Sequence, residues 1–377
     1  MKKNISTLLI IFTVLLSIPI KAHARIKLTA LPERKSVLLK LNSNKPTLVE
    51  EERVLSLQKG TNYVDFSWKG VAIDSNSIRI KIISHPSAVK LKNVSYPPNE
   101  NALIWQIYCE EAFSEKVRIS YLLHNIDSLL SYTALAEKDE THIDLKIYAV
   151  LRNFSGEELE DAFFKLDFGP QIEADLSHEE TKRILLSKSI KIPIKKEFTF
   201  DSRILPWDPK KEKKNVGIPL RYVFKNDTDH RLGKFILDPG KVRVFQKDGH
   251  KSQIFIGEDT IKKRTYKGDE IKLYVGDSRD IVVTQKLMKS KKTNIRRNNH
   301  NSIILYDIEE KMSLKIENFK KDPCELQIIE YIPGEWEMKK TTEKYEKKNS
   351  EKIVFTISLD PKEKREFTFN YIKKNLR

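Results

Sequence analysis

Apolar and polar residues exchange places at every second position in segment after segment of this chain. "SIRIKII" (Ser77–Ile83) and "KVRISYLL" (Lys116–Leu123) alternate in this way. "HIDLKIYAVLRN" places Ile143, Leu145, Ile147, Ala149 and Leu151 on one face, and "MSLKIEN" does the same with Met312, Leu314 and Ile316. "IVFTISL" (Ile353–Leu359) and "REFTFNY" (Arg365–Tyr371) repeat the pattern near the C-terminus. A period of two held over five or more residues marks a half-buried antiparallel strand. Turn signals such as "KGTN", "NFSGEE", "QKDGHK", "YKGDE" and "LDPKEK" fall between the runs. Many short strands punctuated in this way predict an all-β chain of tandem antiparallel β-sandwich domains, immunoglobulin-like, with little helix. The best helical segment is "SHEETKRILLSKS" (Ser177–Ser189), where Ser177 and Glu180 have capping-box spacing.

Breaks in the pattern divide the chain. Residues 1–24 combine Lys2 and Lys3, an apolar run "TLLIIFTVLLSIPI" and the small-residue site "AHA". That is the pattern of a secretory leader, with the mature chain expected from Arg25. The run is shorter than the roughly 18–20 residues a membrane span needs, and no later stretch is apolar enough for one. The expected divisions are an N-terminal β domain (25–115), a middle β-sandwich (116–205), a linker or long loop (206–216), a β-meander region (217–290) and a C-terminal sandwich (298–377). The linker reading rests on the proline- and lysine-rich "ILPWDPKKEKKNVGIP". A second break, "MKSKKTNIRRNNHNS" (Met288–Ser302), has no acid and no aromatic residue and reads as a basic loop.

Charge and chemistry alter this picture only in places. The net charge is +16, and removing residues 1–24 leaves 66 basic against 53 acidic residues, a net +13. Such a balance favours anionic partners. Two groups concentrate it: Lys286, Lys289, Lys291, Lys292, Arg296 and Arg297, and a second run of Lys210, Lys211, Lys213 and Lys214 beside Trp207. The first group is a candidate patch for an anionic ligand. It lacks the interleaved aromatics that nucleic-acid binding calls for, so no nucleic acid is expected. Trp207 and Trp336 sit beside turns and are candidate aromatic contacts, or caps on a sandwich core.

The segment from Gly240 to Asp277 carries glycines at 240, 249, 257, 268 and 276 with acids and a histidine between them. No strand–glycine-loop–helix arrangement surrounds them, so a phosphate loop is not expected. Turns of a β-meander account for the glycines, and turn acids usually bond their own backbone. There is no GxSxG, HExxH or CxxC, and no two histidines stand at i, i+2 or i, i+4. No catalytic residue, metal site or cofactor is expected. Cys109 and Cys324 are too few for a disulfide framework.

"GKVRVFQKDGHKSQIFIGEDTI…KGDEIKLYVGDSRDIVV" resembles the C-terminal domain of unknown function of mucoidy-inhibitor-A-like bacterial secreted proteins. "LKIYAVLRNFSGEELEDAFFKLDFG" and the closing "ISLDPKEKREFTFNYI" fit the same pattern. "LQKGTNYVDFSWKGVAIDSNSIRI" resembles the N-terminal β domain that often accompanies it. The chain lacks the central coiled coil of many such proteins. The resemblance implies β domains and an envelope location, and it implies no reaction. The expectation is an exported, non-catalytic envelope protein, periplasmic or at the cell surface, that binds or scaffolds an envelope protein or an anionic envelope polymer. The alternatives are a hydrolase with a site assembled in an interdomain cleft and a self-associating surface-layer subunit.

Overall fold

A computed structural model describes residues 29–41, 46–167, 169–204, 213–214, 217–234 and 236–377. The expected leader, Trp207, Lys210, Lys211 and most of the 206–216 linker lie outside the described residues. Within them the protein is all-β, with 25 strands and no helix. β1 (Ser36–Lys40), β2 (Thr47–Leu57), β3 (Gly60–Ser67), β4 (Ile73–Ile82), β5 (Val89–Ser95), β6 (Ala102–Cys109) and β7 (Phe113–Leu123) come first. β8 (Ile126–Ala136), β9 (His142–Asn153), β10 (Leu159–Lys165), β11 (Ile172–Leu176), β12 (Thr181–Pro193) and β13 (Lys195–Asp201) follow. Next are β14 (Lys213–Lys214), β15 (Ile218–Lys225), β16 (Gly240–Lys247), β17 (Gln253–Ile261), β18 (Glu270–Ser278), β19 (Ile281–Arg297) and β20 (Ile303–Asn318). The last are β21 (Cys324–Tyr331), β22 (Trp336–Thr341), β23 (Tyr345–Lys347), β24 (Lys352–Leu359) and β25 (Lys364–Leu376).

The strands form five sheets. Their orders are β11-β10-β1-β2-β7-β4 (sheet I), β3-β6-β5 (sheet II), β12-β9-β8-β16-β17 (sheet III), β18-β15-β13-β21-β24-β23 (sheet IV) and β14-β19-β20-β25-β22 (sheet V). Among the described strands all pairings are antiparallel but three: β1 with β10, β8 with β16 and β13 with β21 run parallel. The alternation read from sequence is the alternation of burial. In β9, Ile143, Leu145, Ile147, Ala149 and Leu151 are all buried.

Three hydrophobic cores result, and strands pass between them. The first lies between sheets I and II around Trp105, Ile119, Tyr121 and Phe164. The second lies between sheet III and the β15–β18 half of sheet IV, around Tyr132, Ile147, Tyr222 and Val242. The third lies between β13, β21 and β24 of sheet IV and the strands of sheet V, where the Phe355 ring stands 5.1 Å from Phe367 and 5.2 Å from Phe369. β9 gives Ala149 and Leu151 to the first core and Ile143, Leu145 and Ile147 to the second. β13 bonds antiparallel to β15 and parallel to β21, so sheet IV runs unbroken from the second core into the third. The divisions expected at 115, 205 and 298 therefore do not match the cores. β7 belongs to the first, β13 to the third, and β19 starts the third well before residue 298. Non-local strand pairing decides membership, and the local pattern does not carry it.

Two further expectations are corrected. The 177–189 segment is a turn followed by β12, not a helix. The local capping contact still forms, with Ser177 N donating to Glu180 Oε2 at 2.9 Å, but inside a turn with Glu179 at φ 62°. Pairing of β12 with β9 along its length then outweighs weak local propensity. The Gly240–Asp277 meander is also divided: β16 and β17 form a hairpin in sheet III, whereas β18 joins β15 in sheet IV. Gly257 lies within β17 at a register shift, not in a turn, and a Cβ there would stand 2.6 Å from Val275 O of β18. Its missing side chain lets the two sheets close on each other. Only some acids of this segment bond within their own turns as expected, since Asp259 lies in β17 and reaches across to β18 and Glu258 pairs with Lys241 and Arg243 of β16. Asp248 Oδ1 accepts from His250 N and Ser252 N, and Asp259 Oδ2 accepts from Tyr274 N at 2.7 Å.

Glu330 of β21 places a carboxyl group in the third core. Glu330 is buried, and Gln285 Nε2 donates to its Oε1 at 2.8 Å. Burial pushes the Glu330 carboxyl up to about 8, against an ordinary value of 4.5. Gln285 Oε1 is buried without a hydrogen-bond partner.

Two outcomes follow. Gly257→Ala should lower stability by about 1–3 kcal/mol, measured by chemical denaturation, because the close backbone of β18 cannot give way. Between about pH 4.5 and 8 folded Glu330 keeps a proton that the unfolded chain releases. Its contribution is thus full below pH 4.5 and falls as pH rises to 8, by an amount on the order of a few kcal/mol. Glu330→Gln should flatten that decline in denaturation midpoints taken from pH 5 to pH 8.

Candidate functional site: a basic face on an overhanging hairpin

Sheet V is longer than the sheet that faces it. β19 has 17 residues, β20 has 16 and β25 has 13, whereas β21 and β24 have 8 each. At about 3.3–3.4 Å per residue, the β19–β20 hairpin runs roughly 55 Å against roughly 27 Å for its cover. The distal half therefore overhangs the sandwich, and its β19 strand is exposed on both faces over most of residues 288–297. The basic segment expected as a loop is this overhang: Lys286 to Arg297 lie in β19. With neither face buried, no apolar alternation was needed there, and the strand was hidden from a pattern search.

Register places the cations. Lys286 stands opposite Ser313, Lys289 opposite Lys311, Lys291 opposite Glu309 and Arg296 opposite Leu305. Those β20 partners are all odd-numbered, and cross-strand partners share a face. β19 is not regular, because register shifts fall between Leu287 and Lys289 and between Thr293 and Arg296. Each shift adds one residue to β19, and each returns the next cation to the same side. Lys286, Lys289, Lys291 and Arg296 thus share one face, joined by Lys311 of β20. Lys292 faces the other way, opposite Ile308, with its Nζ 4.1 Å from the Tyr306 ring centre. Arg297 lies beyond a last register shift at the tip and donates to Asn301 O at 2.8 Å.

Five cations on this face meet two acids on the same strands, Asp307 and Glu309, and both acids are engaged by amides. Asp307 accepts from Asn294 Nδ2 at 2.7 Å and from Asn375 N at 2.9 Å. These bonds, the Asn294 one first, hold its carboxyl below the ordinary range. Glu309 accepts from Asn370 Nδ2 at 2.9 Å. Arg296 donates to Asn375 Oδ1 at 2.8 Å and lies close enough to Asp307 for their charges to attract. Among the described residues Lys286, Lys289, Lys291 and Lys311 make no ion pair. β14 pairs with β19 through Lys213–Gln285 and Lys214–Thr284, at the base of the arm.

No family model matches this chain, and no curated protein matches it. The functional reading therefore rests on the geometry and on the sequence motifs.

The other candidates are placed apart from this face. Trp336 packs against the third core; its Nε1 donates to Ser350 O at 2.6 Å and Lys347 lies over its ring, so it caps the sandwich. The histidines are dispersed. His85 is held by buried Glu115 at 2.7 Å and stacks on Phe113, His230 is bound to Asp227 in its own turn, and His178 accepts from Gly156 N. Among the described residues no group of three or more His, Cys, Asp or Glu residues is arranged to hold a metal ion. Cys109 and Cys324 are free and sit in different cores, and burial raises the Cys324 thiol to about 11. A groove of about 720 Å³ lies on the outer face of sheet IV. Glu197 and Lys272 pair on its floor, Arg221 lines it, and no histidine does.

Lys289 and Lys311 are directly opposed like charges, an arrangement that destabilises a sheet. Lys289→Glu should raise stability by about 0.2–1 kcal/mol, read as a higher denaturation midpoint. A fall would mean that Lys289 has a structural role on the arm.

Proposed function

We propose that this chain is an exported, non-catalytic binding protein of the cell envelope, and that the basic face of the β19–β20 arm holds an anionic polymer. The observation that carries the reading is the shared face: four cations of β19 brought together by two bulges, with Lys311 beside them. Neighbouring sites on one strand face lie about 7 Å apart, within the roughly 8–10 Å over which charges act together at physiological salt. A solvated surface needs only interleaved charges, and most of this chain has them. The arm instead gathers lysines that lack ion-pair partners among the described residues. Export is supported by the leader pattern of residues 1–24, and an envelope setting by the resemblance to mucoidy-inhibitor-A-like proteins. The dispersal of the histidines among the described residues weighs against a hydrolase.

Two adjacent lysines provide the test, with long-chain polyphosphate as the probe. Lys291→Glu should weaken binding several-fold and make its salt dependence shallower. Lys292→Glu, on the opposite face, should leave both nearly unchanged. Equal effects from the two substitutions would mean that net charge, not the face, governs binding.

A further inference from the structure

The same arm carries exposed aliphatic side chains among its cations. Met288 is 54% exposed, Ile295 44%, Ile303 42% and Ile304 46%. They fall within 17 residues of the hairpin, beside Lys289, Lys291, Arg296 and Arg297. Met288 and Lys289 together oppose Lys311 across the first register shift, so an aliphatic side chain sits at the margin of the cation face itself. Ile295 lies in the second shift and Ile303 opposite Arg297 at the third.

A soluble polyanion can neutralise the lysines but leaves these aliphatic groups in water. A surface with negative headgroups above an apolar layer takes both. We infer that the arm docks on a membrane surface containing anionic lipid, with the cations on headgroups and the aliphatic side chains in the interface. This rests on the proposed reading of the basic face as an anion-binding surface and gives that face a lipid partner beside the polymer. The hairpin end is polar: Asn298 Oδ1 accepts from His300 N and Ser302 N, and Asn298 N donates to Ser302 O. The arm therefore lies along the surface and does not plunge tip-first. Among the described residues no helix is long and apolar enough to cross a membrane, and surface docking needs none.

Vesicle flotation tests the inference with phosphatidylcholine vesicles, with or without about a third phosphatidylglycerol, enough anionic lipid to attract a basic segment. Wild-type protein should float with the anionic vesicles, lose binding as salt rises, and stay at the bottom with the neutral ones. A variant with Met288, Ile295, Ile303 and Ile304 replaced by Ser should lose at least tenfold in vesicle affinity yet keep its affinity for polyphosphate. Ile254→Ser with Phe255→Ser, exposed apolar residues of β17, controls for general surface hydrophobicity and should change neither. Unaltered melting of each variant would show that the fold is kept. Flotation of the serine variant at wild-type affinity would overturn the inference. So would wild-type binding to polyphosphate without binding to anionic vesicles, which leaves the basic-face reading standing. Failure to bind either probe would remove both.

Discussion

Shared strands hold this molecule together. β13 gives its backbone hydrogen bonds on one side to β15 and on the other to β21, and each neighbour covers a different core. β9 does the same lengthwise, feeding the first core with one end and the second with the other. A strand that serves two cores cannot slip by one residue, because the slip would turn both of its buried sets to solvent. The three sandwiches are thus locked in register to one another. A long arm can be displayed at a fixed position on such a body.

The arm follows from a mismatch of length. The strands that cover the third core from sheet IV stop after eight residues, while β19 and β20 continue for about as many again. Past the end of the core, most side chains of β19 are exposed, so its composition is free to serve another purpose. The exposed open side of β19 is lined with lysines and interrupted by bulges, which also discourages edge-to-edge association. Both features have a second consequence, since each extra residue in β19 resets the alternation and aligns the cations. Exposed ion pairs contribute little to stability, so gathering unpaired lysines on such a surface costs little as well.

Much of the fold was legible in the sequence where one strand face is buried. The inward sets of β9, β20, β24 and β25 can be picked out by their period of two. Sheet membership was not legible, because the parallel partners β8–β16 and β13–β21 are more than a hundred residues apart and no local pattern encodes such pairing. The 177–189 segment was misread because a Ser–Glu capping pair satisfies a turn as well as a helix. Six cations of β19 could be listed from sequence, but not that four of them share a face which Lys311 of β20 joins. A strand exposed on both faces has no apolar period, and bulges leave no mark that a single sequence reveals. Trp336 fell to its core-capping role, while Trp207 lies outside the described residues.

The central claim is that bulged register, not composition, makes the binding face. Lysine acetylation rates, mapped by mass spectrometry with and without saturating polyphosphate, test it residue by residue. The account predicts slowed modification at Lys286, Lys289, Lys291 and Lys311, with Lys292 unchanged although it adjoins Lys291. Equal protection of Lys291 and Lys292, or protection spread evenly over the surface lysines, would contradict it.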